Sequence, residues 1–269
     1  MPRLSVSLKK TALVLGAVFL FLTFASLCGW QLARLQWKLD LIERVEAKAY
    51  GPATHLPPAS SWPLLDAATV EYQRVYLQGE FMPRYTVLTQ AVTKYGLGYW
   101  VMTPMQVDNL GLVWVNRGFV TGGSPEQWSS LLSSMPQELI GLMRWTEPEG
   151  GYLRKNNVHD GRWYSRDVQA LSAAMSLGDI GLPVAPFFVD ASVQPSPVGG
   201  LNPATPAVRP SFSGDDTGEI KPLRHAPDDP IPGLTVLQFK NNHLQYAITW
   251  AILALMVLAA ALWLRRSEA

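Results

Sequence analysis

The sequence predicts an α+β membrane protein. Two transmembrane helices, one near each terminus, flank a β-rich extracytoplasmic domain, a small, partly open barrel or sandwich with one or two helices. Three observations predict this. Two uncharged apolar runs, residues 11–33 between Lys10 and Arg34 and residues 241–264 between Lys240 and Arg265, sit close to the chain ends. Each exceeds the roughly 20 residues an α-helix needs to cross the hydrocarbon layer, where no water is present to satisfy an unfolded backbone. The stretch between them breaks into short runs of alternating apolar residues separated by turn residues, the period of half-buried strands.

Lysine and arginine in the short flanks set the orientation. Arg3, Lys9 and Lys10 precede the first run, and Arg265 and Arg266 follow the second, so both tails read as cytoplasmic. The expected division is a tail over 1–10, a first span over 11–30, an extracytoplasmic (periplasmic) domain over 31–243, a second span over 244–264 and a tail over 265–269. Five of the 22 Lys+Arg and one of the 21 Asp+Glu fall in the tails, leaving 17 bases against 20 acids between them. That balance excludes a nucleic-acid surface, which needs clustered cations. The first apolar core is longer than the roughly 7–15 residues of a secretory signal, and Leu27 before Cys28 is bulky for lipoprotein processing. An uncleaved anchor in a bacterial inner membrane is expected. Cys28 is the only cysteine, which rules out an internal disulfide and a thiolate metal cluster.

After the first span, Ala33, Trp37, Leu41 and Val45 recur every four residues and predict a helix continuing to a stop at Gly51-Pro52, with Asp40 and Arg44 spaced as an ion pair. Strands are expected over 72–78, broken by Gly79, and over 85–90. Residues 99–107 and 112–120 form a hairpin around Asp108-Asn109-Leu110-Gly111, and 138–145 and 186–191 are further strands. Residues 163–175 read as the one soluble helix, capped by Ser165 or Asp167. Residues 194–232, dense in Pro, Gly, Ser and Asp, read as a long exposed loop, partly disordered, and 234–239 as one more strand.

No catalytic pattern stands out, and an enzyme is not expected. His55, His159, His225 and His243 show no paired metal-ligand spacing, and there is no nucleophile elbow or phosphate-binding glycine loop. Met102 and Met105 lie three apart, which on a strand sends them to opposite faces and argues for packing rather than a soft metal site. His243 opens the second apolar run, and helical spacing places it with Tyr246 and Trp250. An imidazole there serves either as an interfacial cap in the aromatic belt or as an axial ligand of haem iron. Trp30 and Arg34 mark the outer end of the first span. They anchor it at the headgroups or, with Lys38, meet haem propionates. Asn116-Arg117-Gly118 and the Arg166 segment pair arginine with aromatics, as partner surfaces and satisfied element ends both do.

The chain resembles the Surfeit-locus family of cytochrome c oxidase assembly factors along nearly its whole length. The matching pieces are Gly29-Trp30-Gln31-Leu32-Ala33-Arg34 through Trp37-Lys38; Tyr72-Gln73-Arg74-Val75 with Gly79 and Phe81; Gly98-Tyr99; Thr103-Pro104; Val115-Asn116-Arg117-Gly118-Phe119-Val120; Asn156-Asn157; Trp163-Tyr164 with Arg166-Asp167; and Asn241-Asn242-His243-Leu244-Gln245-Tyr246 through Trp250. Phe119 stands where the family more often has tryptophan, and the loop 194–232 is longer than the pattern needs. The resemblance implies a membrane-bound, non-enzymatic helper that handles haem a transiently during maturation of the oxidase catalytic subunit. It implies His243 as the haem-iron contact, with Tyr246, Trp250, Arg34 and Lys38 around it. Trp30, Gln31, Asn116, Arg117 and Arg166 are the expected contacts to the catalytic subunit. A scaffold that never touches haem and a membrane-anchored periplasmic sensor are the alternative expectations.

Overall fold

The computed structural model describes residues 2–132, 135–148, 154–207, 229–235, 239 and 241–267, the side chains of 2–10 and 267 apart. It contains two compact units: Met1–Arg44 with Leu237–Ala269, and Val45–Val236. Two helices, α1 (Pro2–Tyr50) and α5 (His243–Ser267), are long and apolar enough to cross a membrane. Between them in sequence lie α2 (Ala67–Val70), α3 (Pro125–Ser130) and α4 (Val168–Ala174), and eight strands. The strands are β1 (Thr54–His55), β2 (Arg74–Phe81), β3 (Val87–Thr93), β4 (Gly96–Val107), β5 (Gly111–Val120), β6 (Gln137–Trp145), β7 (Val184–Ala191) and β8 (Ser196–Pro197).

In the first unit α1 and α5 run antiparallel and meet along a seam with heptad spacing. On α1 the partly or fully buried positions include Ala17, Phe21, Phe24, Cys28, Gln31, Leu35 and Lys38; on α5 they include His243, Ala247, Trp250, Ala254, Val257 and Ala261. Steps of four and three keep one narrow face inward, and alanines take alternate seam positions on α5. Phe24 stacks on Trp250 with ring centroids 5.8 Å apart. Of the predicted stripe, Leu41 and Val45 are partly buried, while Ala33 and Trp37 are exposed and the inward positions at that level are Gln31, Leu35 and Lys38. Asp40 and Arg44 do not form the expected ion pair. Arg44 Nε donates to the Asp40 carbonyl at 3.2 Å, and the Asp40 carboxylate accepts from Gln36 at 2.9 Å. The helix ends at Tyr50, as Gly51-Pro52 demanded.

The second unit is a closed five-stranded barrel in the order β2-β4-β5-β7-β6, with β6 returning to β2. Within this ring only β5 and β7 pair in parallel; outside it, β1 pairs in parallel with β2. Gly79, expected to break a strand, is instead the corner where β2 changes partner: Arg74 to Gly79 pair with β6 and Gly79 to Phe81 with β4. A Cβ there would sit 2.0 Å from the Gln106 carbonyl oxygen, so only glycine closes the ring. Val75, Leu77, Met105, Val113, Leu139 and Phe187 belong to the barrel core. Met102 belongs to a second core, with Trp114, Trp163, Leu171 and Phe188, so Met102 and Met105 do face opposite ways.

The hairpin β4–β5 turns where expected, with Asn109 in the left-handed region at φ 57°. The soluble helix starts later than predicted, at Val168. The Asn156 side chain accepts from the amides of Tyr164 and Ser165 at 2.7 and 3.1 Å, and the Trp163 carbonyl accepts from Gln90. Those bonds hold 163–165 out of the helix until Asp167 caps it through Ala170 N at 3.1 Å.

The described parts of the long loop are not loose. Ala53 N donates to the Pro203 carbonyl and Ala207 N to that of Tyr50, while Arg74 Nη1 donates to the carbonyls of Gly51 and Thr205 at 2.9 and 2.7 Å. Buried Glu138 accepts from the Tyr76 hydroxyl at 2.6 Å and from the Leu201 amide. Burial pushes the Glu138 carboxyl up, but Tyr76 and the amides of residues 199–201 more than offset this and hold it below its ordinary value. Burial and the same carboxylate push the Tyr76 phenol up to about 12. Residues 236–238 of the strand expected over 234–239 lie outside the described residues. The pairing in that region is made earlier, by Ile231 against Phe119. Gly118, at φ 132°, leaves the space for it, since a Cβ would meet the Ile231 carbonyl at 2.4 Å.

Candidate functional site

Two groupings of polar side chains stand out, one in each unit. At the start of α5, Nδ1 of His243 lies 2.8 Å from Oε1 of Gln31. With the amide oxygen as acceptor, the tautomer this contact accommodates carries its proton on Nδ1 and has Nε2 turned away from Gln31. Gln31 is 8 % exposed, a polar side chain held inside the seam by this bond. The stacked Phe24 and Trp250 lie one heptad further along the same seam. Tyr246, placed with His243 and Trp250 by spacing, turns away from the seam and is 52 % exposed. Arg34 is exposed and lies over the Trp37 ring at 4.0 Å, Lys38 is half-buried, and Trp30 is 59 % exposed. The sequence placed His243 with Trp250 by spacing and singled out Gln31 without linking it to either. Phe24 it missed, since a phenylalanine within an apolar run carries no signal of its own.

The second grouping is an ion network on the barrel wall, centred on Asp190 of β7. Its Oδ1 accepts from Arg166 Nη1 at 2.9 Å and Asn116 Nδ2 at 2.8 Å; its Oδ2 accepts from Arg144 Nη1 at 3.1 Å and Thr235 Oγ1 at 2.8 Å. Arg166 also engages Glu147 at 2.6 and 3.1 Å, and Arg144 engages Glu71 at 2.8 Å. The Arg166 guanidinium lies 4.6 Å from the Phe188 ring centroid and 5.7 Å from that of Trp100. Burial alone would lower both arginines. For each, Asp190 and a second carboxylate outweigh it and hold the guanidinium above its ordinary value. Arg117 is the contrast. Its Nη1 donates to the Trp128 carbonyl at 2.7 Å, its Nε has no partner, and burial pulls it down to about 10 against a partial counter-pull from Asp229.

Asn116, Arg117 and Arg166 are 3, 2 and 9 % exposed, and each is hydrogen-bonded within the domain. Asp190, Glu71, Glu147 and Arg144 were missed. The one available signal was an acid ending the apolar run Phe187-Phe188-Val189. Among the described residues no three His, Cys, Asp or Glu side chains gather to hold a metal ion.

An antiparallel pair of apolar helices, with a closed five-stranded barrel inserted between them in sequence and a histidine–glutamine pair in the helical seam, defines the class: a membrane protein that carries a β-barrel domain. The chain matches the SURF1 family model over residues 18–255 and belongs to that family. It is 27 % identical over 256 residues to human Surfeit locus protein 1, covering 88 % of this chain and 71 % of the relative. The corresponding protein of Rattus norvegicus is 27 % identical over 269 residues, with 93 and 74 % coverage. A SURF1-like protein of Rickettsia prowazekii is 22 % identical over 251 residues, with 92 and 87 % coverage.

Proposed function

We propose that this protein is a membrane-bound assembly factor for a haem-copper terminal oxidase, cytochrome c oxidase, and that it holds haem a as transient cargo on the way to the catalytic subunit. Membership of the SURF1 family supports the assembly role. The observation that carries the haem reading is the 2.8 Å bond between Gln31 and His243. A ligating imidazole is oriented and made more basic by an acceptor on its other nitrogen, and Gln31 supplies that acceptor to Nδ1. His243 Nε2 would then be the iron contact, with Trp250 on the same seam beside the ring and Tyr246 reaching it only from the outer face of α5, while Arg34 and Lys38 would take the propionates. Haem iron supplies the open axial position that an imidazole fills. A neutral acceptor such as Gln31 supports a ligand less strongly than a carboxylate, which suits cargo that must leave. Both tails are cytoplasmic, the barrel is periplasmic, and exposed Trp30 faces the lipid headgroups or the catalytic subunit.

Purification from cells that make haem a tests this. The wild-type chain is expected to carry haem a absorbance, His243→Ala to lose it with an unchanged far-ultraviolet spectrum, and Gln31→Leu to weaken retention by about ten-fold or more. An unchanged pigment spectrum in His243→Ala refutes the ligand assignment. Pigment-free co-purification with the catalytic subunit would make the chain a scaffold. Deleting the gene is expected to abolish the oxidase's haem a absorbance while its transcripts persist; lost transcripts would point to a sensor.

A further inference from the structure

The hairpin β3–β4 ends in an apolar tip that nothing in the barrel covers. Val92 and Leu97 form a cross-strand pair and are 76 and 72 % exposed. Gln90 and Tyr99 form a neighbouring pair, and because side chains alternate along a strand they lie on the same face. Arg154 Nη1 donates to the Gln90 side chain at 3.4 Å, which brings the segment 154–162 alongside this face. The segment is anchored there by the Gln90 amide donating to the Trp163 carbonyl at 2.8 Å. It carries Arg154, Lys155 and Arg162, all exposed, against the single acid Asp160, and Lys94 stands at the turn of the hairpin. These exposed cations stand on this hairpin and the segment bonded to it, in a stretch of sequence where acids outnumber bases by 20 to 17.

The geometry points to a lipid-headgroup contact: Val92 and Leu97 enter the interface of a bilayer while Lys94, Arg154, Lys155 and Arg162 meet anionic phospholipid. Aliphatic residues with tyrosine and long basic side chains at their rim are what the boundary between headgroups and acyl chains accommodates. Two aliphatic side chains fall far short of the roughly 800 Å² per partner that a stable protein interface buries. The domain's chain runs into apolar helices at both ends, so lipid is always within reach at high effective concentration. This contact is separate from the haem reading and stands or falls independently of it.

The test uses the full chain with Cys28→Ser and Leu97→Cys, labelled with an environment-sensitive fluorophore. It is reconstituted in phosphatidylcholine alone or mixed with phosphatidylglycerol. Emission is expected to shift to the blue and to be quenched by doxyl-labelled lipid in the mixed bilayer, and a probe at Val198→Cys, on another exposed site, to stay unshifted. Lys94→Glu, Lys155→Glu and Arg162→Glu should each weaken the contact about five-fold, and added salt should weaken it too. Identical emission in both lipids, or a shift indifferent to charge reversal, overturns the proposal. Shielding that appears only when the oxidase catalytic subunit is added assigns the tip to a protein partner instead.

Discussion

Asp190→Ala removes the centre of the barrel-wall network, and its cost follows from the partners it leaves behind. The substitution strips a carboxylate from two guanidiniums, Arg144 and Arg166, and an acceptor from Asn116 and Thr235. Breaking a buried ion pair by removing one partner costs about 3–5 kcal/mol, because a charge stays buried without compensation. Each arginine keeps a second carboxylate, Glu71 or Glu147, which places the expected loss toward the lower end of that range. For a domain of this size about 1 kcal/mol corresponds to roughly 2–4 °C, so the barrel should melt about 6–12 °C lower. Thermal unfolding of the full chain in detergent, followed by tryptophan fluorescence, reads this out, since Trp100, Trp114 and Trp163 sit in or beside the adjoining core. Asp160→Asn, on an exposed loop, should shift the midpoint by about 1 °C or less. In a double-mutant cycle, Asp190→Ala with Arg166→Met should be less destabilised than the two single losses added together. A fall of under about 1 kcal/mol, or strict additivity, would refute the claim that the network is a desolvated, mutually compensating unit.

Two further outcomes test other parts of the structure. Cys28 and Ala247 share the helical seam one turn from the Gln31–His243 contact, so Ala247→Cys should oxidise to a crosslink with Cys28. Leu244→Cys, on the exposed side, should not crosslink, and equal yields would contradict the antiparallel register. Tyr76, held at about 12 by burial and Glu138, keeps its proton in the folded state after unfolded tyrosines lose theirs near 10. Its contribution is therefore complete below pH 10 and is lost as pH rises from 10 to about 12. Glu138, held low, contributes above the ordinary carboxylate range and loses its contribution as pH falls through its folded value. Denaturant unfolding across pH should show both flanks in the wild type and lose the alkaline one in Tyr76→Phe.

Hydropathy and alternation made much of the fold legible, because each depends on a residue's own chemistry and its near neighbours. The two spans, the β4–β5 turn at Asp108-Asn109, the stop at Gly51-Pro52 and the opposed Met102 and Met105 all followed from such local signals. The later start of α4 escaped because Asn156 and Gln90, distant in sequence, hold 163–165 out of the helix against local helical spacing. Gly79 misled for the same reason: the same residue that breaks a strand also makes a barrel corner, and only the approach of Gln106 distinguishes the two.

At the candidate site, the sequence by itself determined that an imidazole stands at the edge of an apolar helix and that arginines sit among aromatics. What only the tertiary structure decided is which of these groups meet. Gln31 and His243 are 212 positions apart and become partners through the seam, and Tyr246 turns outward because that seam follows steps of three and four. Arg117 goes inward because ring closure and the strap from residue 229 to 235 bury β5, and Arg166, just ahead of α4, because Asp190 and Glu147 hold its guanidinium against the barrel wall. Periodicity specifies a face for each element. Which partner covers that face is a long-range property of the packed chain, and burial, pairing and charge compensation all depend on it.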